Sequence, residues 1–255
     1  MMPDPSPAMR LEGRVAVVTG AGRNIGAAIA HSFASEGARV VVVDLVRRRA
    51  QAVAEAICTT VEGSAISIAC DVTSSSDVQR MVGEVCDRWG RIHILVNNVG
   101  VVDRHNVLDL EEADWDRVIN TTLKSVFLCT KYVARSMVEA GGGGRIINIA
   151  STSGHRGRSD ATAYPSAKGG VLNLTRSLAI QLAPYAIRVN SITPNRVATV
   201  VEANEVRRNW QVTNLVGRQC TPLDVANAAV FLASAEADFI TGTDLMVDGG
   251  ASAGR

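Results

Sequence analysis

Three residues in the second half of the chain have the types and spacing to move a proton. They lie in IASTSGHRGRSDATAYPSAKGG, which holds Ser151, Tyr164 and Lys168. Tyr164 and Lys168 are four apart, so a helix puts both on one face. Pro165 disfavours helical backbone at Tyr164 and suits a helix start, which predicts that the tyrosine projects from a first turn. A free phenol has a pKa of about 10, too high for a general base at neutral pH. A neighbouring ammonium and a cationic nicotinamide both favour the phenolate and are expected to lower that value. Tyr164 can then take the proton of a secondary alcohol as a hydride leaves its carbon, and protonate a ketone in reverse. Ser151, emerging after a strand-like run, can hydrogen-bond the same oxygen and orient it. Each residue alone is commonplace, so their meaning depends on what accompanies the three.

What accompanies them is a site for a hydride carrier. The stretch TGAGRNIG, residues 19–26, follows the strand-like VAVVT and precedes the helix-like AAIAHSFASEG. Gly20 allows a sharp turn and Gly26 a close approach of helix to sheet. Backbone N–H groups at the helix start, over Arg23, Asn24 and Ile25, then face a pyrophosphate. Asn24 stands where glycine is the easy choice, and asparagine is among the few residues that tolerate positive φ. Asp44 ends the next strand, in VVVVD, where a carboxylate accepts from ribose hydroxyls and repels a 2′-phosphate. That predicts NAD. Arg23 argues for NADP, because a guanidinium can pair with the phosphate. A fixed carboxylate outweighs a side chain that can swing into water, so NAD is the expectation and NADP the alternative. Lys168 has a second use, holding the nicotinamide ribose, and Tyr164 lies at the same cofactor end.

These residues need a frame. Strand-like runs at 14–19, 39–44, 65–69, 92–96, 145–150, 188–192 and 244–247 alternate with helix-like ones at 24–36, 47–58, 75–89, 111–139, 163–182 and 222–233. Strand and helix in alternation predict an α/β fold, one doubly wound parallel sheet with helices on both faces and ligands beyond the carboxyl ends of its strands. Nothing linker-like divides residues 11–255, which are expected to form a single domain. The proline-rich residues 1–10 are expected to be a loose tail. Residues 200–216 break the rhythm with Glu202, Arg207, Arg208 and Trp210, and their place after a strand suits a substrate lid. His155 and Arg156 join Arg207 and Arg208 as candidates to meet a substrate carboxylate.

Composition narrows the partners. A net charge of +1 over 255 residues gives no reason to expect nucleic acid. The basic run Arg47, Arg48, Arg49 reads as a solvated helix start. No run reaches the ~20 apolar residues of a membrane span. Five scattered cysteines, with no CxxC pair, suit reduced thiols in a cytoplasmic protein, and the scattered histidines suggest no metal site.

Taken together, TGAGRNIG, Asp71-Val72, NNVG at 97–100, Ser151 with YPSAK, IRVNSITPN and the late VDGG resemble the short-chain dehydrogenase/reductase family, and within it the 3-oxoacyl reductase-like members. The resemblance runs from about Leu11 to Gly250. It implies a Rossmann-type sheet of seven strands in the order 3-2-1-4-5-6-7. It implies that Asp71 and Val72 flank the adenine, that Asn97 and Gly100 shape the cofactor floor, and that Val197 and Thr199 reach the nicotinamide. It also implies a homotetramer, with residues 239–250 at an interface.

Four positions depart from that family's pattern. Asn24 and Asn195 replace glycines, Val99 replaces an alanine, and Thr122 stands where an asparagine usually serves a proton relay to the lysine. Because both glycine replacements are asparagine, retained backbone geometry is the expectation. The alternative is a dinucleotide-binding sensor or structural subunit that has lost its chemistry.

Overall fold

Four valines in a row, Val40 to Val43, are all fully buried. Successive strand residues face opposite sides, so Val40 and Val42 enter one core while Val41 and Val43 enter another. A strand with no polar face belongs inside a parallel sheet covered on both sides. The computed structural model, which describes residues 9–61, 63–198 and 214–253, has this arrangement. Its strands are β1 (Val15–Thr19), β2 (Arg39–Asp44), β3 (Ala65–Ala69), β4 (Ile94–Asn97), β5 (Gly144–Ile149), β6 (Ile187–Pro194) and β7 (Asp244–Val247). They form one sheet in the order β3-β2-β1-β4-β5-β6-β7, each pairing parallel.

The helices are α1 (Asn24–Ser35), α2 (Arg47–Thr60), α3 (Ser75–Trp89), α4 (Glu112–Ile119), α5 (Ser125–Ala140), α6 (Ala163–Leu182) and α7 (Pro222–Ala233). Ile29 and Phe33 of α1, Ile57 of α2 and Val230 of α7 cover one face of the sheet. Met81 and Val85 of α3, Val133 and Met137 of α5 and Ala179 of α6 cover the other. Burying one such side chain is worth on the order of 1.5–3 kcal/mol relative to exposure. Local chemistry sets the helix starts: Ser74 caps α3 through the Asp77 N–H, and Thr221 with Asp224 makes a capping box ahead of Pro222 in α7.

The helix expected over 111–139 is interrupted. Asn120–Lys124 form a π-helical turn between α4 and α5, in which the Ser125 N–H reaches back five residues to the Asn120 carbonyl. The Ser125 hydroxyl donates to the Thr121 carbonyl at 2.6 Å. Asn120, Thr121 and Thr122 are weak helix formers whose side chains compete for backbone partners. Their pattern of apolar neighbours still looks helical, which is why the break is invisible in the sequence. β4 also begins two residues later than expected and β6 runs on to Pro194.

Residues 1–8 of the expected tail lie outside the described residues, while the Arg10 N–H donates to the Glu36 carboxylate at 3.1 Å. The expected lid is outside them too, except for 214–216. There Leu215 donates to the Gly249 carbonyl at 2.8 Å. Among the described residues, no helix is long and apolar enough to cross a membrane, and no group of His, Cys, Asp or Glu is placed to hold a metal ion.

Candidate active site

The turn from β1 into α1 is built by close approach. A Cβ on Gly26 would collide with the Gly20 carbonyl and lie 2.6 Å from the Asn98 amide nitrogen. Gly20 has φ 61° and Asn24 has φ 52°, so the asparagine does occupy the left-handed region that its type suggests. Arg23 is extended and exposed, and Ile25 packs partly against the core. Asp44 stands directly beside this loop. Its Oδ2 accepts from the Gly22 N–H at 3.1 Å and its Oδ1 from the Val46 N–H at 2.9 Å. A Cβ on Gly22 would lie 2.6 Å from both Asp44 Oδ2 and Arg49 Cβ, so loop, carboxylate and α2 share one corner. Arg47 and Arg48 are exposed as expected, and Arg49 is half-buried.

Asn98 organises the loop from the neighbouring strand. Its amide donates to the carbonyls of Thr19 at 3.0 Å and Gly20 at 3.1 Å, and its N–H to the Thr19 hydroxyl at 3.0 Å. It stands inside the NNVG motif, whose first asparagine and glycine drew attention instead. The Asn97 side chain is turned into the protein, donating to Asn148 at 2.9 Å and Thr130 at 3.2 Å. Asn148 in turn donates to Thr175 at 2.9 Å, so this buried chain ties β4 to β5 and α6. Asp71 accepts from the Thr73 N–H at 2.9 Å and hydroxyl at 2.7 Å, beside the buried Val72. Val197 pairs with Cys220 in a single parallel bridge, and Thr199 lies outside the described residues.

Ser151, Tyr164 and Lys168 come together beyond β5. Ser151 is extended and opens a short 3₁₀ turn, its hydroxyl accepting from the Ser153 N–H at 3.1 Å. Its hydroxyl lies near enough to the Tyr164 phenol to favour the ionised form. Lys168 is buried, and its Nζ donates to the Ile149 carbonyl at 2.6 Å while lying 5.8 Å from the centre of the Tyr164 ring. Burial brings the Lys168 pKa down to about 8. Burial pushes the Tyr164 phenol above its ordinary value, opposed by the nearby Ser151 hydroxyl and the charge of Arg158. Desolvation of the phenol is the largest of these effects.

Gly100 fits against the lysine, since a Cβ there would lie 3.4 Å from Lys168 Nζ and 3.6 Å from the Thr122 methyl. The Thr122 hydroxyl is committed elsewhere. It accepts from the Val101 N–H at 3.1 Å and donates to the Val101 carbonyl at 3.3 Å. Asn195 is not at positive φ, so conformational freedom does not explain it; its amide oxygen accepts from the Thr152 hydroxyl at 3.3 Å. His155 pairs with Asp244 at 2.8 Å. Asp103 drew no attention in the sequence, yet its carboxylate accepts from the N–H groups of Thr162, Ala163 and Tyr164.

A parallel sheet in this strand order, with a glycine turn into α1 and an acid closing β2, defines a protein of the dinucleotide-binding class. The tight turn, the helix start and Asp44 fit a dinucleotide. A family model described as enoyl-(acyl carrier protein) reductase matches residues 20–252. Meso-2,3-butanediol dehydrogenase from Serratia marcescens is 36% identical over 248 residues, covering 96% of this chain and 97% of that one. Sorbitol dehydrogenase from Cereibacter sphaeroides is 36% identical over 256 residues, covering 95% and 98%. The crystal structure of a short-chain type dehydrogenase/reductase from Mycobacterium marinum superposes with a TM-score of 0.89 at 34% identity, covering 96% of this chain and 97% of that one. The chain belongs to the short-chain dehydrogenase/reductase family of nicotinamide-dependent oxidoreductases.

Proposed function

We propose that the protein interconverts a secondary alcohol and a ketone, with NAD as the hydride carrier and Tyr164 as the general acid–base. The observation that carries this reading is the convergence of Ser151, Tyr164 and Lys168 beyond the carboxyl end of β5. The oxidised nicotinamide, when bound, takes the hydride and lends the positive charge that a phenolate needs. Gly20, Arg23, Asn24 and Ile25 would hold the pyrophosphate end, Asp44 the adenosine ribose, and Asp71 and Val72 the adenine. Gly100, Lys168, Val197 and Thr199 would line the nicotinamide end. Tyr164 rests as the acid, because burial outweighs the pull of Ser151 and Arg158. In reduction it gives its proton to the carbonyl oxygen; in oxidation it would first release its proton to solvent, which the charge of the bound cofactor favours, and then take the hydroxyl proton. Ser151 orients that oxygen. Lys168 supplies a buried amine whose pKa, about 8, lets it exchange protons near neutral pH.

The test is Tyr164→Phe. Turnover should fall about 10²–10⁴-fold, the usual contribution of general acid–base catalysis, while NAD binding persists. Undiminished hydride transfer would remove the role. Wild-type protein that binds cofactor but turns over none of a broad alcohol and ketone panel would instead be the sensor. The names of the relatives put diols and polyols first on that panel. NADP is the second reading, favoured by exposed Arg23 and by Arg49 beside Gly22. Titration with both cofactors decides it: tighter NADP binding would overturn the Asp44 argument.

Three further readings belong to the same proposal. Residues 200–216 act as a substrate lid, supported by the attachment of Leu215 to Gly249. The active form is a homotetramer, supported by fully exposed Phe239 close to β7, the last strand of the sheet among the described residues. The site of action is the cytoplasm, supported by five free cysteines.

A further inference from the structure

We propose that Asp103 is a positioning residue for Tyr164: its carboxylate holds the first turn of α6, and so the phenol, at the angle that proton transfer needs. This rests on the reading of Tyr164 as the general acid–base. The first turn of any helix has N–H groups without intrahelical partners. A side chain at the N-cap ordinarily takes one of them. Thr162, the N-cap of α6, makes no such bond. The task falls to Asp103, which lies about sixty residues earlier on the segment after β4 and is 2% exposed. Its Oδ2 accepts from Thr162 at 2.8 Å and Ala163 at 3.1 Å, and its Oδ1 from Tyr164 itself at 2.8 Å. One carboxylate therefore satisfies three donors at the positive pole of the helix. Burial pushes the Asp103 carboxyl up, but the three N–H groups outweigh it and hold it below the ordinary range, so it is an anion at neutral pH.

The segment that presents Asp103 is itself fixed. Val101 is bonded through both its N–H and its carbonyl to the buried Thr122 hydroxyl. Gly100, one residue earlier, abuts Lys168. The Thr162 hydroxyl also donates to the His105 carbonyl at 3.4 Å. Tyr164 and Lys168 are thus both registered against one short segment, the tyrosine through Asp103 and the lysine through Gly100. The departure at Thr122 gains a purpose here, since its hydroxyl pins the arm that carries Asp103. Later turns of α6 have their own intrahelical bonds and buried residues such as Val171 and Thr175. Losing Asp103 should therefore loosen the turn that bears Tyr164 and leave the turns around 171–179 in place.

The experiment compares wild type, Asp103→Ala, Asp103→Asn, Tyr164→Phe and the double variant Asp103→Ala with Tyr164→Phe. In Asp103→Ala, kcat should fall about 10–100-fold, the scale of a small misplacement of a catalytic group. KM and the NAD dissociation constant should stay within about twofold. Asp103→Asn keeps one acceptor oxygen and should fall between. In the Tyr164→Phe background, Asp103→Ala should cost no further turnover, because the residue acts through the phenol. Amide hydrogen exchange should speed up at 162–164 and stay unchanged at 171–179. A kcat within twofold of wild type, an equal further loss without the phenol, or exchange that spreads along all of α6 would each overturn the proposal. Should Asp103→Ala fail to fold, Asp103→Asn must show the same split between kcat and KM and the same local exchange. If Tyr164→Phe alone keeps full turnover, the acid–base reading fails, while exchange still reports whether Asp103 holds the turn.

Discussion

Lys168 keeps its amine among carbonyl and ring atoms rather than in water, and the cost of doing so depends on pH. Its folded pKa is about 8 against an ordinary 10.5. Between those values the unfolded chain binds more protons than the folded one, so stability rises with pH across that window. The contribution is fully present above about 10.5 and is lost as pH falls through about 8. Lys168→Met removes it. Urea midpoints should show wild type gaining on the variant from pH 8 to 10.5; a constant difference would mean that the amine is solvated. At this scale the proximity of Tyr164 and Lys168 was readable because they are four apart and Pro165 marks the helix start. Asp103 and Asn98 were not, because their partners lie some sixty and eighty residues away and only the fold brings them together. Asn195 was misread, since its type suggested backbone freedom and its side chain makes a hydrogen bond instead.

The glycine turn and α1 show how an element can hang on one missing methyl group. Gly26→Ala puts a Cβ against the Gly20 carbonyl and the Asn98 amide, so either the turn opens or α1 moves off the sheet. Overpacking of that kind costs about 1–3 kcal/mol, and cofactor affinity should fall with it. Gly83, inside α3, is the control: a Cβ there meets nothing within 4 Å. Gly83→Ala should stabilise the protein by about 0.5–1 kcal/mol, the difference in helix preference. Thermal denaturation of both variants, with NAD titration of the first, checks the pair. Equal effects would show that the close approach at Gly26 does not matter. Element types were legible from periodicity, because buried valine runs and amphipathic stretches are driven by different faces of the same sheet. The π turn was not, since an added residue in a helix leaves its polar and apolar neighbours in plausible order.

At the scale of the molecule, the strand order was legible only through the motifs, because hydrophobic pattern alone does not say which strand lies beside which. Alternation of strand and helix gave the parallel sheet, and the family likeness gave its order. The proposed tetramer predicts that Phe239, wholly exposed in one chain, is covered by another. Phe239→Asp should move sedimentation velocity from a tetramer to a smaller species with α-helical content unchanged; an unaltered tetramer would put the interface elsewhere. The π turn has a consequence of another kind. Each residue advances an α-helix by about 100°, and the wider turn at Asn120–Lys124 takes up one extra residue in nearly the same rotation. Deleting a single residue there would make the spiral regular and leave Ser125–Ala140 near its present angle relative to α4. Val133 and Met137 would still face the sheet, while Thr122, inside the widened turn, would lose Val101. The surplus residue therefore serves the local fastening of the neighbouring loop, and the seating of the long helix does not depend on it.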